Sequence, residues 1–101
     1  EFTFNDIKLT DYVLVKYLQG RAKKFFVGKV IAKHGKSSFK ITFLVKQRSR
    51  EVPLFAFPDK EDSDTISFED IVARLPNPEA TGGTKRAAKL LKFIYDLKQF
   101  F

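Results

Sequence analysis

The sequence predicts a mainly β domain: a small barrel of five short antiparallel strands followed by a C-terminal α-helix. Three observations carry this. Several short stretches alternate apolar and polar residues, which is the period of a half-buried strand. The links between those stretches are of hairpin size. No helical pattern separates one from the next, so the strands meander rather than cross over. The 101 residues, 44% of them hydrophobic, suit one domain that buries roughly 60–65% of its unfolded surface.

Residues 1–9 read as an N-terminal extension. They open on Glu1-Phe2 with no methionine, a dipeptide that cloning sites often leave behind, so we expect a domain cut from a longer chain. The barrel is expected over residues 10–78. "YVLVKY", Tyr12 to Tyr17, is a first strand with Val13 and Val15 on one face and Leu14 and Lys16 on the other. "KKFFVGKVIAK", Lys23 to Lys33, is a second, in which Phe26, Gly28, Val30 and Ala32 share a face. Its glycine predicts a bend or a close approach of another backbone. "SFKITFLVK", Ser38 to Lys46, points Phe39, Ile41, Phe43 and Val45 one way and Lys40, Thr42 and Lys46 the other. "LFAF", Leu54 to Phe57, is a short fourth strand stopped by Pro58, and "EDIVARL", Glu69 to Leu75, is a fifth strand or a helical turn before Pro76.

Residues 79–84 read as a linker. Residues 85–101 follow as an amphipathic helix, with Lys85, Lys89, Lys92, Asp96 and Gln99 forming a polar stripe and Ala88, Leu91, Ile94, Leu97 and Phe101 largely opposite. A strand competes with this reading, because Leu91, Phe93, Tyr95 and Leu97 also alternate.

Charge is segregated. Residues 8–50 carry a net +11, residues 51–79 a net −6 and residues 80–101 a net +4, within an overall +7. Segregation of this kind serves a partner or forms solvated faces. The absence of cysteine excludes a disulfide framework and a thiolate metal site. No apolar run of membrane-spanning length and no leader pattern occur, so no membrane partner is expected. His34 is the single histidine, and no phosphate loop, dinucleotide fingerprint or nucleophile elbow is present. "DKEDSD" lacks the glycine and terminal glutamate of a calcium loop. We therefore expect no enzyme, no metal and no cofactor.

The series "DYVLVKY", "FFVGKV", "FKITFLV", "FAFPDKEDSDTISFEDIVARLPNP" and "GGTKRA" resembles the small Tudor- or chromo-barrel-like (SH3-like) domains of transposase-derived and chromatin-associated invertebrate proteins. In those domains a D-x-V-x-V-K-Y strand precedes V-G-x-V, and F-P-x-x-E-D is followed by D-I-V-x-x-L-P-x-P. The resemblance covers residues 10–86. It implies a nuclear, non-catalytic module associated with chromatin or nucleic acid. Unlike typical Tudor domains, this chain has no tryptophan.

In an up-and-down meander the first and third connections share one end. Arg21, Lys23 and Lys24 would then stand beside Lys46, Arg48 and Arg50 as a basic rim, extended by Lys85 and Arg86. The expected partner is nucleic acid, DNA ahead of RNA, bound through phosphates with little base reading. The alternative partner is a chromatin protein tail, whose methylated lysine or arginine would enter a cage of Tyr17, Phe25, Phe55 and Asp59. Asp59, Glu61, Asp62 and Asp64 form an acidic loop that caps another face, clamps the basic helix or is simply solvated. The apolar face of the C-terminal helix offers a homodimer or partner-chain contact, against the plainer reading that it packs on its own barrel.

Overall fold

The computed structural model describes residues 2–47, 52–81 and 89–101. A 3-10 turn at Phe4–Asp6 leads into β1 (Tyr12–Gln19), β2 (Ala22–His34), β3 (Ser38–Phe43), β4 (Val45–Gln47), β5 (Leu54–Ala56) and β6 (Ser63–Ser67). A second 3-10 turn at Phe68–Asp70 precedes β7 (Ile71–Leu75), and β8 (Glu79–Ala80) and β9 (Leu91–Lys92) are two-residue strands. The domain is mainly β, as expected. Its strands form two antiparallel sheets, of order β6-β3-β2-β1-β7 and β4-β5-β9-β8.

The first sheet begins as the expected meander. Gln19 pairs with Ala22, leaving a two-residue loop whose first residue, Gly20, takes a φ of 61°, a conformation that glycine adopts without steric cost. β6 and β7 are consecutive in the chain yet occupy opposite edges of this sheet. Five flat strands would hold their edges about 19 Å apart, whereas the three residues between β6 and β7 reach at most roughly 14 Å. The sheet must therefore curl. It does not close: β6 and β7 do not pair among the described residues, so in place of the expected small barrel the strands form an open, curled sheet.

The curl separates two cores. Val13, Val15, Val30, Phe39, Ile41, Phe43, Ile66 and Ile71 come from all five strands, edges included, and pack inside the curl with Ile7. Phe2, Phe4 and Phe68 pack against this cluster. Phe2 meets Phe68 edge-on at 5.7 Å, so the N-terminal extension is part of the packing. Leu14, Val27, Ala73 and Leu75 face the other way and meet Leu44, Phe55, Phe93 and Leu97. Both faces of β1 are thus buried, each in the alternation its sequence predicts.

Gly28 fills the role expected of it. A Cβ there would run into the Ile41 side chain and lie 3.2 Å from the Thr42 carbonyl oxygen, so β3 crosses β2 at a distance only glycine permits. The predicted third strand breaks one residue later. Leu44 donates its N–H to the Val27 carbonyl and turns its side chain into the second core, and the chain continues as β4 in the other sheet. That crossing resets the alternation downstream, which is why Val45 is 48% exposed, the reverse of the expectation; Thr42, ahead of the crossing, is also contrary to expectation at only 8% exposed.

The acidic segment contains a strand that the sequence reading missed. β6 pairs with β3 from Ser38↔Ser67 to Thr42↔Ser63. The expected C-terminal helix is absent among the described residues. β9 instead completes the edge of β5, with Leu54↔Lys92 and Phe55↔Leu91. Phe93 packs edge-on against Tyr12 at 5.4 Å and Phe55 at 5.8 Å, and Phe100 packs on Phe25 at 4.9 Å. A helix would have put Phe93 outside its apolar stripe; the unpaired edge of β5 and the three aromatic partners Tyr12, Phe25 and Phe55 favour the extended form. The expected linker also contributes structure, since Glu79 and Ala80 pair with Lys92 and Leu91.

Candidate aromatic and acidic pocket

The structure describes all four expected cage residues but only half of the expected basic rim. Arg21, Lys23, Lys24 and Lys46 are all exposed, while Arg48, Arg50, Lys85 and Arg86 lie outside the described residues. Lys23 pairs with Leu18 and Lys24 with Tyr17, so the two lysines project from opposite faces of the hairpin. β3 leaves the first sheet at Phe43, opposite Gly28, well short of the β1–β2 turn. Lys46 pairs with Phe55 in the second sheet, whereas the β1–β2 turn belongs to the first.

The expected cage is likewise divided. Phe25 and Phe55 belong to the second core. Asp59 lines a broad groove of about 500 Å³ with Leu9, Ile31, Phe57 and Lys29. Tyr17 alone lies in a pocket of the kind anticipated, and its neighbours are different ones: Phe26, Phe43, Asp62, Ser63 and Asp64 surround a cavity of about 220 Å³.

The backbone explains the grouping. Val15 pairs with Phe26 and Tyr17 with Lys24, so Tyr17 and Phe26 are diagonal neighbours on one face of the hairpin. Phe43 sits opposite Gly28, two residues along the same face. The three rings touch: Tyr17 meets Phe26 edge-on at 5.4 Å, Phe26 meets Phe43 at 5.9 Å, and Tyr17 lies 6.1 Å from Phe43. The space left by the absent side chain of Gly28 is taken first by Ile41, with the Phe43 ring 3.3 Å from where a Cβ would stand.

β6 brings acid to these rings. The Tyr17 hydroxyl donates to Asp64 Oδ2 at 2.8 Å, and the Thr65 N–H donates to Asp64 Oδ1 at 2.8 Å, so the carboxylate is held from both sides. The Phe43 N–H donates to the Asp62 carbonyl at 2.7 Å, which fixes Asp62 beside the pocket while its side chain stays exposed. Partial burial, then the hydrogen bond to Asp64 and the nearby charges of Asp64, Asp62 and Asp70 push the Tyr17 phenol up to about 12. It therefore remains a neutral donor at physiological pH.

Three aromatic rings beside two acidic residues are the side-chain types that attract a soft cation. Each aromatic contact to a desolvated cation contributes about 0.5–2 kcal/mol, and the carboxylates add charge of the right sign. Sequence alternation placed Phe26 and Phe43 inward, and Phe43 does lie in the first core with Phe26 packed against it; both also line this pocket. The missing signal was β6, which brings Asp62 and Asp64 across to the rings. No protein family, curated protein or solved structure is found to match the chain.

Proposed function

We propose that this domain is a non-catalytic reader that receives a methylated lysine or arginine side chain of a protein tail in the pocket beside Tyr17, Phe26 and Phe43. The observation that carries this is the joining of three mutually touching rings to Asp62 and Asp64 in one cavity. The strand motifs from Tyr12 to Pro78, which resemble those of Tudor and chromo-barrel domains, favour a chromatin partner and a nuclear setting. Short peptides carrying unmodified or dimethylated lysine, titrated by fluorescence anisotropy, test the reading. The methylated peptide binds, and Tyr17→Ala removes binding. Equal affinity for both peptides contradicts it.

A second reading is favoured by the net charge of +7 and by the exposed Arg21, Lys23 and Lys24 on the β1–β2 hairpin. Here the hairpin contacts DNA phosphates without base reading. Three such contacts give a slope of log K against log salt of about −3. Neutralising Asp62 and Asp64 separates the readings by sign, because it tightens DNA binding through the long-range field and weakens methylated-peptide binding.

A further inference from the structure

We infer that the broad groove bounded by Leu9, Ile31 and Phe57 is a second docking site, which takes one large apolar side chain of a basic, extended protein segment. The inference goes beyond the reading of the aromatic pocket and stands without it. Thr42 lines the groove and Phe43, next in β3, lines the pocket, so the two open on opposite faces of the first sheet. Lys29 and Thr42 pair across β2 and β3 and form the floor. One wall is the turn before β1. The Thr10 N–H donates to the Val30 carbonyl and the Val30 N–H to the Asp11 carbonyl, both at 2.8 Å, which seats Leu9 against β2. The β2–β3 register shifts between Val30 and Ala32, and the residue left over, Ile31, lines the same groove. The facing wall, Phe57 to Glu61, is drawn to β3 where the Phe43 N–H donates to the Asp62 carbonyl. Leu9, Ile31 and Phe57 are 53%, 36% and 43% exposed. Three large apolar side chains gathered around one groove of about 500 Å³ form a patch of the kind that binds a partner, not a scatter.

Charge identifies the occupant. Asp59 and Glu61 line the groove on the Phe57 wall, both exposed and neither in an ion pair with a described residue. Lys29 is half-buried on the floor, with its Nζ 5.7 Å from the centroid of the Tyr12 ring, and it neutralises neither carboxylate. Two acids against one lysine make the groove negative on a protein whose net charge is +7. A basic segment is repelled by most of this molecule and attracted here, so the field steers it to the groove and the apolar walls then hold it. An acidic segment meets the same walls against the field of Asp59 and Glu61, and a nucleic acid is repelled by both. Lys29 is left to donate to a main-chain carbonyl of the segment.

Fluorescence anisotropy with three labelled, unmethylated peptides of equal length tests this: lysine and alanine in alternation with a central leucine, the same with a central alanine, and the leucine peptide with every lysine replaced by glutamate. Seating a large apolar side chain predicts that the leucine peptide binds about ten-fold or more tightly than the alanine peptide, and the glutamate peptide does not bind. Phe57→Ser and Ile31→Ser, at exposed positions, leave the thermal midpoint nearly unchanged and remove the leucine preference. Asp59→Asn with Glu61→Gln weakens both lysine peptides and leaves the preference. Tyr17→Ala changes none of these affinities, which keeps this site distinct from the pocket. Equal binding of the leucine and alanine peptides overturns the inference, as does tight binding of the glutamate peptide. A leucine preference that survives both serine substitutions, or that is lost in Tyr17→Ala, overturns the assignment to the groove. Self-association of the unaltered domain in sedimentation, abolished by Phe57→Ser, gives the groove to a second copy and overturns the basic segment as its occupant.

Discussion

Phe93→Ala tests the role of the C-terminal segment. Phe93 is 5% exposed and Leu97 2% exposed, in a core that also takes Leu14, Val27 and Phe55. Truncating a buried phenylalanine costs about 3–5 kcal/mol, within which the two edge-on ring pairs to Tyr12 and Phe55 account for about 0.5–1.5 kcal/mol each. A 101-residue chain has an unfolding entropy of about 0.2 kcal/mol per degree near its midpoint, so the loss corresponds to a fall in Tm of roughly 15–25 °C. Ile94 is next in sequence and 66% exposed; Ile94→Ala should stay within about 0.5 kcal/mol. Thermal unfolding followed by circular dichroism measures both. A helix lying on its Leu91, Ile94 and Leu97 face would give the opposite ranking. A larger loss at Ile94 than at Phe93 would refute the strand.

Three other outcomes follow from the backbone and the pocket. Thr10 has a φ of 72°, where a β-branched residue costs about 1–2 kcal/mol, so Thr10→Gly should hold or raise stability by up to about 1 kcal/mol in urea denaturation, against the loss usual for glycine. Gly28→Ala should cost about 1–3 kcal/mol by overpacking, and because the new Cβ lies 3.3 Å from Phe43 it should also weaken peptide binding in the same titration. Tyr17 keeps its proton to about pH 12 when folded, against an ordinary value of 10. The unfolded chain loses that proton first, so this residue's contribution to stability declines as pH rises from about 10 to about 12. Ultraviolet titration of the phenols should show Asp64→Asn lowering the Tyr17 midpoint.

Much of the first sheet was legible because β1 and β2 and most of β3 each keep a period of two, and both cores of β1 can be read from Val13, Leu14 and Val15. What failed was long-range. The Leu44 crossover leaves no composition mark, and the alternation continues in sequence from Phe43 to Val45 after the strand has changed sheets. β6 is written as Ser, Asp, Thr, Ile and Ser, a polar edge strand with one inward residue, which composition alone reads as a loop. The C-terminal segment carries apolar residues at helical and extended spacings alike; the partner strand β5 decides between them. The pocket inherits these misses, since Tyr17 lines it but the companions expected for Tyr17 do not, and those it has depend on where β3 ends and where β6 lies.

The most direct measurement is a titration of the isotopically labelled domain with a dimethyl-lysine peptide, followed by backbone and aromatic chemical shifts. The account predicts saturable changes centred on Tyr17, Phe26, Phe43, Asp62 and Ser63, with little change at Phe25 and Phe55, which lie in the other core. Shifts confined to the groove of Leu9, Ile31 and Phe57, or no saturable shift at the three rings, would contradict it.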